Sequence, residues 1–124
     1  RTIAETVDHI YNLAFILLNA TQQKPTVFPI DKGELTFDQK RLIILNNLKA
    51  ASDILKESST EDFEKYEMIF ERANGQKTVY PFWNLINGPI EDAVWHTGQI
   101  VSFRRSAGNP FSSEISVLTG KLRN

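Results

Sequence analysis

An all-α, up-and-down helical bundle is the fold class this sequence predicts, and three observations carry the prediction. Apolar residues recur at three- and four-residue spacing through three long stretches. Two of those stretches open on capping boxes, and glycine or proline punctuates the gaps between them. Amphipathic helices of this length bury their apolar faces most readily against one another.

The first helix is expected from about Thr2 to about Ala20. In Thr2-Ile3-Ala4-Glu5, a threonine oxygen meets an orphan amide and a glutamate three residues on reciprocates. Ile3, Val7, Ile10, Leu13, Ala14, Leu17 and Leu18 then follow at helical spacing. Residues 21–35 hold Pro25, Pro29 and Gly33 and read as a connecting loop. Thr36-Phe37-Asp38-Gln39 is a second capping box, opening a helix from about Phe37 to Glu57 with Leu42, Leu45, Leu48, Ala51 and Leu55 on one face. The aromatic residues Phe63, Tyr66 and Phe70 and the Asn74-Gly75 turn suggest a short extended segment near residues 63–71.

A third helix is expected to begin near Thr78, with Pro81 tolerated in its first turn. Asn87-Gly88-Pro89 predicts a kink or a break, because Pro89 lacks an amide donor and its ring crowds the preceding turn. Gly108 ends the helix in a left-handed conformation. The tail from Asn109 reads as irregular, packing Phe111, Val117 and Leu118.

The chain has 124 residues, enough for one domain, with 41% hydrophobic and 23% charged residues. Its 14 basic and 15 acidic residues leave a net charge of −1, which gives no electrostatic reason to expect nucleic acid or an anionic membrane as a partner. Arg104-Arg105 reads as a cationic pair meeting the negative end of a helix dipole. Cysteine is absent, so disulfides and thiolate zinc sites are excluded, and any metal must rest on His, Asp, Glu or weaker oxygen donors. The longest apolar run, Ala14 to Leu18, is far short of the roughly 20 residues of a membrane span. The expected setting is cytoplasmic. The only methionine is Met68 and the chain opens on Arg1-Thr2 at a helix start, so a first bundle helix is expected upstream of Arg1. Apolar faces left open by an incomplete bundle make a homodimer the expected assembly.

Both histidines lie in predicted helices among apolar residues. Asp92 and His96 stand at i and i+4, so their side chains point the same way, roughly 5–6 Å apart at Cβ. That spacing lets one helix supply two ligands to one ion, and a third from a facing helix would complete a tripod with an open position. The same pair also makes sense as an ion pair, and Asp92 complements the dipole of the helix restarting after Pro89. Trp83 and Trp95 read as packing residues, and Asp8 as a solvated one.

The segment Glu91-Asp92-Ala93-Val94-Trp95-His96-Thr97-Gly98-Gln99-Ile100 resembles the last-helix motif of the DinB-like superfamily, in which a histidine lies four residues before the histidine of a His-x-Gly-Gln-Ile-type sequence. The opening Thr2 to Ile10 is similar to the capped family helix that carries the first metal ligand. The resemblance implies a single DinB-like domain over residues 1–124 and a metal site of His9, Asp92 and His96, with aspartate where the family has its third histidine. Glu5 and Gln99 are the expected supports that orient the rings. Two histidines and a carboxylate suit zinc or nickel foremost and iron or manganese as well, while the aspartate leaves room for a site without metal.

The implied function is divalent-metal binding, with a metal-dependent hydrolase or thiol-dependent transferase acting on a small molecule as the enzymatic form. The alternative is a non-catalytic, stress-associated or interaction bundle that has lost its metal through Asp92. Catalytic residues and substrate are not specified by the sequence.

Overall fold

Thr2 and Thr36 set the starts of the two longest helices. The Thr2 hydroxyl accepts from the Glu5 amide at 3.2 Å while the Glu5 carboxylate accepts from the Thr2 amide at 2.7 Å. Thr36 and Gln39 repeat the exchange at 3.3 and 2.8 Å. A computed structural model describes residues 1–116 and 119–123 of the chain. Behind the caps run α1 (Ile3–Thr21) and α2 (Phe37–Glu57), within a residue of the expected bounds. These two helices therefore form where local chemistry dictates them.

Among the described residues, five strands in two small sheets overturn the all-α expectation. A three-stranded sheet has the order β1-β2-β3, with β1 (Thr26–Phe28), β2 (Met68–Arg72) and β3 (Lys77–Tyr80). β1 lies inside the segment expected to be a loop. It pairs in parallel with β2, Thr26 opposite Phe70, and α2 is part of the long crossover that parallel pairing requires. Three residues flanked by Pro25 and Pro29 are too few to show alternation, and prolines are tolerated there because β1 is an edge strand.

β2 and β3 form an antiparallel hairpin, Met68 opposite Tyr80, closed by a turn in which Gly75 takes φ +80°. The extended segment foreseen near residues 63–71 is thus extended only from Met68, while Glu61–Lys65 is a 3₁₀ turn. Lys77–Tyr80, expected to begin the third helix, is instead β3, because the Asn74-Gly75 turn pairs it back onto β2.

The last helical stretch starts at Trp83–Leu85, passes through a π-helical turn at Ile86–Ile90, and continues as α3 (Glu91–Ser106). The interruption falls where Pro89 predicts it and takes the form of a widened turn that accommodates the missing donor. α3 ends in a paired C-terminal cap: the Gly108 amide bonds the Arg105 carbonyl and the Asn109 amide bonds the Arg104 carbonyl, with Gly108 at φ +72°. Beyond it, the tail expected to be irregular carries a two-stranded antiparallel ladder of β4 (Ile115–Ser116) and β5 (Lys121–Leu122). Val117 and Leu118, expected to pack there, lie outside the described residues.

α1 is the centre of the core. Ile16, Leu17 and Ala20 pack with Ala51 of α2, Tyr66, Met68 of β2 and Leu85 ahead of the π turn. Val7, Ile10, Tyr11 and Ala14 pack with Ile44 of α2. By contrast His96 is the one buried residue among the described residues of α3, and Val94 and Trp95 are each 68% exposed. The tryptophans are therefore not the packing residues their size suggests; Trp83 is 58% exposed as well. Asp8, expected to be solvated, accepts from the Lys40 ammonium at 2.7 Å and ties α1 to α2. Among the described residues no helix is long and apolar enough to cross a membrane.

Leu85 is completely buried, so Leu85→Ala is expected to cost about 2–5 kcal/mol in urea unfolding. Val94→Ala, at an exposed position, should stay within about 0.5 kcal/mol. Equal effects at the two positions would refute the assignment of the core to α1 and its neighbours.

Candidate metal centre

His9 sits in the second turn of α1, on the side that faces α3. Asp92 lies in the first turn of α3 and His96 one turn further along. The packing of α1 against α3 brings the three together. Asp92 presents Oδ2 to His9 Nε2 at 2.9 Å and Oδ1 to His96 Nε2 at 3.2 Å. The two imidazoles meet edge to face, centroids 4.7 Å apart. One ligand atom from each residue lies within 4.8 Å of the other two, so small side-chain movements would bring all three to the bond lengths of about 2.0–2.2 Å that one small cation needs.

The partners assign the tautomer of His96. Gln99 Oε1 lies 2.6 Å from His96 Nδ1 and can only accept, so Nδ1 carries the hydrogen. In the neutral ring Nε2 then offers a lone pair, and it faces both Asp92 Oδ1 and, at 3.3 Å, the Arg1 guanidinium. A lone pair and a carboxylate oxygen in contact repel unless a proton or cation lies between them. Arg1 donates to the His96 lone pair, and His9 Nε2 can donate to Asp92 Oδ2. Within the triad itself the only donor facing these acceptors is therefore His9, and Asp92 Oδ1 and His96 Nε2 face each other without one between them. Burial sharpens this imbalance, since the His96 side chain is only 11% exposed, against 29% for His9 and 43% for Asp92.

Of the two expected supports, Gln99 is in place and Glu5 is not. The Glu5 carboxylate closes the α1 capping box, and the Thr2 amide that it accepts from holds its pKa below the usual carboxylate value. One turn of helix separates Glu5 from His9, but the amide closer at hand wins its oxygen. Arg1 is the residue that sequence reasoning missed. It precedes the capped helix and follows no periodic pattern, so only the fold reveals that it reaches α3.

Two cavities meet at Asp92. A polar hollow of about 540 Å³ is lined by Arg1, His9, Asp92, His96, Gln99 and Phe103. A second hollow of about 500 Å³, lined by residues of α1, β2, the π turn and α3, also has Asp92 in its wall. No family model matches the chain, and no curated protein or solved structure matches it.

Gln99→Leu should release the His96 ring from the Nδ1–H tautomer, and Glu5→Ala should leave both rings unchanged. Long-range nitrogen–proton NMR correlations of the imidazoles check both expectations. A His96 spectrum unaltered in Gln99→Leu would contradict the assigned hydrogen bond.

Proposed function

We propose that this chain is a divalent-metal-binding protein whose ligands are His9, Asp92 and His96. The observation that carries the reading is the convergence of two imidazole nitrogens and one carboxylate, from two different helices, within 4.8 Å. Two nitrogens and an oxygen suit zinc or nickel first, with iron and manganese able to use the same set. Three protein ligands leave a position open in a tetrahedral arrangement, the design of catalytic rather than structural sites. A cation there would supply Lewis-acid chemistry, which serves hydrolysis or group transfer on a small molecule.

The chain's own residues do the rest. Gln99 holds the His96 ring with its Nε2 lone pair inward, Asp92 binds the two rings into one unit, and Phe103 lines one wall of the hollow. The resemblance to the DinB-like superfamily supports this reading through the short segment around His96, and it does not extend to an all-α bundle.

A second reading treats the cluster as an ion pair that clamps α1 to α3, and the 2.9 Å contact of His9 with Asp92 favours it. Its energetic case is weak. Pairs as exposed as this one, with Asp92 at 43%, contribute about 0–1 kcal/mol.

Elemental analysis of purified protein loaded with zinc or nickel is expected to find one metal per chain. His96→Ala should lose it, and Gln99→Leu should weaken affinity by about 10–100-fold. Chelation should lower the melting temperature of the wild-type protein. A protein that takes up neither metal, and whose melting is indifferent to chelator, would leave the ion-pair reading in its place.

A further inference from the structure

We infer that the site accepts a small carboxylate with an apolar body, its anionic head beside Arg1 and its body in the cavity beyond Asp92. This rests on the proposed metal site and goes further by naming the class of ligand.

The head group follows from charge. The Arg1 guanidinium stands 3.3 Å from His96 Nε2, one of the three converging ligand atoms, and has no carboxylate partner within 4 Å among the described residues. With neutral imidazoles, Asp92 contributes the cluster's only negative charge. A divalent cation together with Arg1 therefore leaves the hollow strongly positive, which favours an anion over a neutral or cationic ligand. A planar carboxylate also matches the fork of a guanidinium.

The body follows from shape. The cavity of about 500 Å³ shares Asp92 with the polar hollow, and its apolar lining is Leu13, Ile16, Met68, Phe70, Pro89 and Trp95. Leu13 and Ile16 are one and two turns beyond His9 on α1, so the cavity continues from the cluster along the same helix face. Glu91 also lines this cavity, and beside Asp92 it makes the interior unfavourable for an anion. The ligand can enter in one polarity only, with its carboxylate on the Arg1 side and its chain on the Trp95 side. Concave apolar walls with a few polar groups at one end are the usual make-up of small-molecule sites.

Trp95 reports directly on the cavity, whereas Trp83 lines a separate hollow with Phe63 and Phe82. In a Trp83→Phe background, nickel binding is measured first by calorimetry. Sodium hexanoate, sodium acetate and hexanol are then titrated into nickel-loaded and metal-free protein, followed by calorimetry and Trp95 fluorescence. Hexanoate is expected to bind the loaded protein and change Trp95 emission. Acetate and hexanol should each bind at least about tenfold more weakly, the first for lack of a buried chain and the second for lack of charge. Arg1→Ala, an exposed position, should weaken hexanoate by about tenfold when compared with the wild type at equal, separately measured nickel occupancy.

Nickel binding without hexanoate binding, or equal affinity for hexanoate and acetate, overturns the inference and leaves the metal site standing. Hexanoate binding that needs Arg1 but no metal, in a protein that takes up no nickel, keeps the carboxylate site and overturns the metal reading. Failure of both ligands to bind overturns both.

Discussion

The burial of α1 is the constraint on which the rest of the structure depends. Ten of its nineteen residues are buried, spread around the helix rather than confined to one stripe. A helix with so much apolar surface is unstable in water by itself and must be enclosed on several sides. α2 covers one side, β1 and β2 another, and the π turn with α3 a third. The sheet exists in part because α1 needs it: Met68 and Phe70 of β2 and Phe28 of β1 complete the core around Ile16, Leu17 and Ala20. Without that enclosure, three strands of five residues or fewer would have little reason to persist.

α1 also determines where chemistry can occur. His9 lies on the part of α1 that α3 only partly covers, which leaves its ring 29% exposed and within reach of Asp92. The π turn sets the other half of the geometry. Pro89 removes a donor from the helical ladder, the turn widens, and α3 restarts with Asp92 in its first turn and His96 one turn on. The one buried residue of α3 is then a polar side chain, His96, while its large apolar residues Val94 and Trp95 remain 68% exposed. A helix that gives its most protected position to an imidazole is organised around that ring's contacts more than around hydrophobic packing.

Much of this is legible in the sequence. Thr2 with Glu5 and Thr36 with Gln39 announce two helix starts, because a capping box is a local exchange of hydrogen bonds needing four residues and nothing else. Gly108 announces an end for a similar reason. Asp92 and His96 share a face by helical geometry alone. Of the strands only β2 is legible, and in part, as the extended segment expected near residues 63–71. Thr26–Phe28 is too short for a period, and its pairing with β2 joins residues more than forty positions apart. Lys77–Tyr80 sits directly before a helix and takes its conformation from the hairpin partner rather than from its own preferences. Glu5 shows the converse error: a position one helical turn from His9 suggested support for the ring, and a nearer amide claimed the carboxylate.

The caps, the bounds of the first two helices, the interruption at Pro89 and the i, i+4 pairing of Asp92 with His96 are all written locally in the chain. All of these are properties of residues within a few positions of one another, where backbone geometry leaves little freedom. The mixed fold, the 2.9 Å approach of His9 to Asp92, the reach of Arg1 to His96 and the apolar cavity that shares Asp92 arise from packing between distant segments. Those features depend on how a helix buried on several sides is enclosed by distant segments, and the long-range contacts that enclose it leave no periodic trace in the chain.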